Sequence, residues 1–547
     1  MVVGRLLVFY LALSFTTEGK TQQDLESSFK PIQIHVVYMD IWEGVAEAAS
    51  FIRETGFPHV IRQLAQILTV RRMRRRKIRI LPGSQIAGLH EPIEFGETDL
   101  VVFVRVKNLS PGHFMASRSI QYDSLGRPTV GEIEISFSSL MSRVQKYPPG
   151  VWRSQVSEGL FHEMIHILGF AYSRFSSFLN PKSLTLRIPD SRRIFYTCSI
   201  DRETQRAAVE WDIDPRRVAR TGTIYSHEFL PGIVEAIDAR GLLAKDCRCP
   251  LDSRRQYSKA DIEHCMNKPN HCAVAVVTEN VALKTREYYA CNAAKGMELE
   301  NAASSRAHCR LWFSESHWKI RLAKRELMTF RGGNPSKGFI APFTWALLED
   351  SGWYGVNVPA AETSSWWGHL KGCSFLFGDC IDAKNNWVVD RDAFCIPRKN
   401  REYKCSKNAL SIEACSATTI SLVKLNTEFD NCPVFEDLSS VHSCLDYPTS
   451  SGFIGNSGPD SRCFMLEDEA FCLRVKCADD GKSYRFETHE EPRNTFTCYE
   501  KGPILFLSGV GGRYRKFDCE DPKIVCGEDV NPLHLVPGTF KVPQADI

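Results

Sequence analysis

Apolar residues recur along this chain with two periods, and their order predicts an α+β fold. Ile32, Ile34 and Val36 alternate with Gln33 and His35, the period of a strand. Val60, Ile61, Leu64, Ile67 and Leu68 follow at helical spacing. Leu100 to Val106 is a nearly continuous apolar run, which fits a central strand. From Thr129 to Phe137, Ile133, Ile135 and Phe137 face one way, and Glu132 and Glu134 the other. That pattern predicts a strand with one solvated face. Ser154 to Leu168 reads as a helix. Val156, Leu160, Phe161, Met164, Ile165, Ile167 and Leu168 make it apolar almost all round, so it should be buried. Strand, helix, strands, helix is an α+β order.

Beyond this helix the pattern weakens. From Ala171 to Ser316 it is charged and irregular, with short helices expected, such as one from Gly232 to Leu243. Phe343 to Asp350 reads as another helix, ending near Gly352. After Val358 helical periodicity fades and Cys, Gly, Ser and Pro become frequent. A domain boundary is expected at 356–366.

The buried helix also carries chemistry. His162-Glu163-Met164-Ile165-His166 places two histidines four apart, on one face and one turn above each other. Both imidazoles can then bind one Zn²⁺. Glu163 lies about 100° round the helix from His162, beside the metal, where it can take a proton from water that the metal has acidified. Burying two histidines and a glutamate without partners is costly, and a metal resolves that cost. Gly169 lets the backbone turn sharply out of the helix.

Composition sets the compartment. Met1 to Gly19 reads as a signal peptide, with Arg5, an apolar stretch from Leu6 to Phe15, and small Thr17 and Gly19. No later apolar run is long enough to span a bilayer as a helix, and no lipid-anchor signal is evident from Val530 to Ile547. The 20 cysteines agree with secretion. Seven lie between Cys198 and Cys309, and thirteen between Cys373 and Cys526. Both numbers are odd, so if all pair, at least one disulfide must join the two regions. No cysteine precedes Cys198. A net charge of +3 argues neither for nucleic acid nor against it. Arg71 to Arg79 is strongly basic and reads as the solvated end of a helix, with a processing site as the alternative and polyanion contact as a possible role.

A catalytic zinc needs a third protein ligand and an open position. The short metzincin motif would put a histidine three residues after Gly169, but Tyr172 stands there. A thermolysin-like glutamate is not offered either: the first after Glu163 is Glu203, in no convincing helix. By spacing alone His227, His264, His271, His308 and His317 all remain open.

At this point the chain resembles the leishmanolysin (invadolysin-like) family of secreted zinc proteases. The matching residues are Ser316-His317-Trp318, Glu326-Leu327-Met328 and Trp345 to Tyr354. Tyr288-Tyr289-Ala290-Cys291, Gly296 to Glu300, Trp366-Trp367-Gly368 with Gly372-Cys373, and Gly126-Arg127-Pro128 to Gly131 also match. In that family a long insertion separates the glycine from the third histidine. The resemblance therefore implies His162, His166 and His317 as zinc ligands, Glu163 as general base and then proton donor, and Met328 as a turn beneath the metal. It implies a metzincin-like catalytic region, a mixed twisted sheet plus the active-site helix, with a large insertion and a Cys-rich C-terminal domain. The implied division is 1–19 signal peptide, 20–170 N-terminal catalytic subdomain, 171–355 insertion and central subdomain, and 356–547 Cys-rich domain. The implied activity is endopeptidase action on extracellular protein or peptide substrates with one Zn²⁺ per chain. The rival reading is a catalytically idle adhesion or decoy protein on the same scaffold.

Overall fold

The principal sheet has four strands: β1 (Ile34–Tyr38), β3 (Leu100–Lys107), β4 (Met115–Tyr122) and β5 (Pro128–Ser136). Their order across the sheet is β1-β3-β5-β4. The pairings of β1 with β3 and of β3 with β5 are parallel, and β4 closes the sheet as an antiparallel edge on β5. The computed structural model describes residues 25–526, apart from short breaks and the stretches 201–206, 212–223, 238–272, 302–313, 330–338, 358–366, 417–431, 437–443 and 445–457. Leu100 to Val104 are buried on both faces of the sheet, which explains the unbroken apolar run of β3.

Helix α1 (Phe57–Ile67) buries Phe57, Val60, Leu64 and Ile67 in the main core. Helix α2 (Pro149–Leu168) lies against the sheet, and its apolar residues from Val156 to Leu168 are fully buried as the pattern predicts. Sheet and helix approach closely at Gly131 on β5. A Cβ there would come within 2.6 Å of the Ile167 side chain, so a larger residue would push α2 off the sheet.

Three expectations are corrected. The alternate face of β5 is not solvated: Glu132 is 1% exposed, sealed by Arg105 Nε at 2.7 Å and Arg118 Nη2 at 2.6 Å. Two guanidinium groups substitute for water around the carboxylate. Arg71 to Arg79 is not a helix end. Helix α1 stops at Ile67, and Leu68–Met73 is strand β2, paired on one side with Leu25–Pro31 and on the other with Tyr354–Val356. Pairing on both edges outweighs the local preference for a helix terminus. Within β2, Arg71 lies over the Phe29 ring and Arg72 bonds Asp99 and the Pro31 carbonyl. Lys77–Ile80 is a further strand, and 74–76 lie outside the described residues. The helix expected from Gly232 is instead strand β6 (Val234–Ile237), antiparallel to β7 (Ala273–Val276). Its β-branched residues suit a pleated surface, and 238–243 lie outside the described residues.

After β7 come α3 (Glu279–Tyr289), β8 (Met297–Asn301), β9 (Ser314–Trp318) and α4 (Pro342–Asp350). Strands β6, β7, β8 and β9 form a second sheet in that order. One apolar cluster runs from Ile32 to Val434 and includes Trp367, Phe375 and Phe394. A separate cluster around Phe464, Tyr484, Phe486 and Phe517 fills a six-stranded antiparallel sheet nearer the C-terminus. All thirteen cysteines from Cys373 onward are paired, twelve among themselves. The thirteenth, Cys373, bonds Cys291, a bridge between regions of the kind that parity requires if all cysteines pair. No described helix is long and apolar enough to cross a membrane.

Candidate metal centre

The last turn of α2 orients one side of the site. Gly169 has φ +140°, which L side chains rarely adopt. The Gly169 N–H bonds the His166 carbonyl and the Phe170 N–H bonds the Ile165 carbonyl, the two bonds of a Schellman ending. That ending turns the Phe170 carbonyl back toward the helix, where it accepts a bond of 2.7 Å from His166 Nδ1. His162 Nδ1 donates likewise to the Leu327 carbonyl, also at 2.7 Å, from a segment 165 residues away.

A carbonyl can only accept, so both Nδ1 atoms carry the proton and both Nε2 atoms present lone pairs. These two Nε2 atoms lie 3.0 Å apart, and His317 Nε2 is 3.2 Å from each. Converging lone pairs repel one another unless a cation lies among them. Ligands held at about 2.0–2.1 Å around a tetrahedral zinc stand about 3.3 Å apart, close to the spacing seen. The donor set therefore fits a zinc ion, and among the described residues it is the one such group.

Burial first, then the neighbouring His162, holds His166 down at about 3, and burial with both neighbours holds His317 well below the usual histidine range. The unfolded chain takes up these protons as pH falls below about 6.5, whereas the folded chain does not. Metal-stripped protein should therefore lose stability as pH falls through the ordinary histidine range, by on the order of 1 kcal/mol per pH unit. Thermal midpoints of the stripped protein above and below that range measure this, and equal midpoints would contradict it.

Glu163 is buried beside the triad. Its Oε2 accepts a 2.6 Å hydrogen bond from Ser117 Oγ on the edge strand β4. Ser119, two residues on and so on the same face, bonds the Ile167 carbonyl. The sequence reading missed Ser117. A Ser-x-Ser pair in a strand is visible, but nothing local says that this strand lies along α2. It also missed the Leu327 carbonyl, which no side-chain pattern can reveal. Met328 is fully buried, and its carbonyl accepts the N–H of Trp318, next to His317. Tyr172, where the short motif would want a histidine, has its N–H bonded to Ser316 Oγ, so the long insertion closes on the place the short motif would occupy. His264, His271 and His308 lie outside the described residues, as does the side chain of His227.

A mixed sheet whose antiparallel edge lies along a two-histidine helix, with a third histidine supplied from a distant strand, is a metzincin-like architecture. The family model described as leishmanolysin (peptidase M8) matches residues 254–491. A leishmanolysin homolog from Crithidia fasciculata is 34% identical over 240 residues, covering 38% of this chain and 35% of that protein. Leishmanolysin from Leishmania major is 25% identical over 212 residues, 38% of this chain and 33% of that protein. A leishmanolysin-like peptidase from Drosophila melanogaster is 27% identical over 191 residues, 33% and 25% respectively. Over the matched part, the chain is similar to the leishmanolysin family. It spans about a third or less of the length of these relatives. The matched model contains His317, Glu326 and Met328, while His162, Glu163 and His166 precede it. The tertiary structure brings the two sets together.

Proposed function

We propose that this chain is a secreted zinc-dependent endopeptidase acting on protein or peptide substrates. The observation that carries the reading is the convergence of three histidine nitrogens within 3.2 Å, two of them oriented by backbone carbonyls, with a buried glutamate alongside. His162, His166 and His317 would hold the ion. Zinc, when bound, polarises a peptide carbonyl and makes water a stronger acid. Glu163 takes the proton of the attacking water and later delivers it to the departing amine. The Ser117 hydroxyl holds the Glu163 carboxylate in place for both transfers. Met328 is the turn packed beneath the site. The relatives named as peptidases and the seven described disulfides support an extracellular protease.

Purified protein should carry one zinc per chain and cut a peptide library. A chelator should stop the cutting and added zinc restore it. Well under half an equivalent of zinc, with no activity regained on adding it, would sink the reading. Full zinc without any cleavage would favour the idle adhesion or decoy protein. The basic segment is a weaker proposal, since Arg72 is committed to Asp99. Retention on a polyanion column that salt does not disturb would remove it.

A further inference from the structure

We propose that Glu326 is a positioning residue for the metal centre: its buried carboxyl locks the turn that orients His162 to the segment that carries His317. The inference rests on the three histidines being the zinc site. Glu326 is 1% exposed. Its Oε2 accepts the Met328 N–H at 2.5 Å, and its Oε1 accepts the Ala341 N–H at 3.2 Å and the Thr344 hydroxyl at 2.5 Å. Thr344 Oγ1 in turn accepts the Trp318 indole N–H at 2.7 Å. One carboxyl thus spans the 326–329 turn, the start of α4, and through Thr344 the residue that follows His317.

The turn it holds is the one whose Leu327 carbonyl receives His162 Nδ1. Leu327 lies between the anchored residues Glu326 and Met328, and its own N–H is tied to the Phe339 carbonyl at 2.7 Å. The Trp318 N–H closes the other side on the Met328 carbonyl at 2.9 Å. Two ligands from segments 155 residues apart therefore share one support. A buried carboxyl is costly, and an apolar residue would fill the volume without that cost. An apolar residue could not hold two backbone N–H groups. Glutamine could hold only one of them, because its NH₂ would face the other donor.

Zinc affinity by chelator competition, on the full chain, tests this. E326Q should weaken affinity about 10–100-fold, the effect typical of losing a group that orients a ligand. T344V, which strips one donor and leaves Trp318 without its acceptor, should weaken it by less, and T344S, which keeps the hydroxyl, should restore it. V525A, in the separate C-terminal core, should lower the melting temperature and leave zinc affinity alone. Wild-type affinity in E326Q overturns the inference, as does equal weakening in E326Q and V525A. If E326Q does not fold, unchanged affinity in T344V overturns it. A wild-type chain that binds no zinc overturns the reading of the site itself and this inference with it.

Discussion

Glu163→Gln should abolish most turnover while leaving zinc and fold in place. Glutamine is nearly isosteric, and its carbonyl oxygen can still accept the hydrogen bond that Ser117 Oγ gives Glu163 at 2.6 Å. The side chain would therefore stay where it is. What it cannot do is take a proton from water, since a neutral amide has no basic lone pair of comparable strength. Loss of a general base costs on the order of 10²–10⁴ in rate. In the proposed mechanism the same group would also deliver the proton to the amine, which pushes the expected loss toward the upper end. The measurement is kcat on a cleaved peptide together with zinc content and melting temperature. A variant that kept near-normal kcat would remove Glu163 from the mechanism. A variant that lost zinc as well would mean that Glu163 supports the ligands, a structural role.

His317→Ala should lose zinc almost completely, with alanine at His227, His264, His271 or His308 leaving it nearly unchanged. His317 Nε2 stands 3.2 Å from the Nε2 atoms of both His162 and His166, although His166 is 151 residues away in the chain. The strand β9 that carries it is pinned on both sides. Ser316 Oγ accepts the Tyr172 N–H, and the Trp318 N–H reaches the Met328 carbonyl. A nitrogen held this firmly costs little entropy to bind, and its removal leaves an incomplete set. The loss should exceed the roughly 100-fold upper range for groups that only orient ligands. Chelator competition and cleavage rates on the five variants decide it. Full zinc and normal cleavage in His317→Ala, with both lost in one of the other four, would move the third ligand into the insertion.

The helix with His162, Glu163 and His166 was determined by the sequence alone. Spacing of four residues fixes a shared face, an apolar surround fixes burial, and Gly169 marks the exit, all within about 20 residues of chain. If all cysteines pair, their parity likewise required a bridge such as Cys291–Cys373, because counting needs no geometry. Periodicity failed where partners arrive from afar. Leu68–Met73 became a strand because Leu25–Pro31 and Tyr354–Val356 flank it, and Glu132 was buried because Arg105 and Arg118 neutralise it. Among five candidate histidines, residue spacing could not choose, since a long loop closes at a cost that grows only slowly with its length. The family resemblance pointed to His317, and the tertiary structure brought it to the helix. The supports of the site were decided by the fold alone. Ser117 is one of many serines until β4 becomes the edge beside α2. The carbonyls of Phe170 and Leu327 belong to the backbone, which every residue shares, so only the folded chain could say which two would orient the ligands.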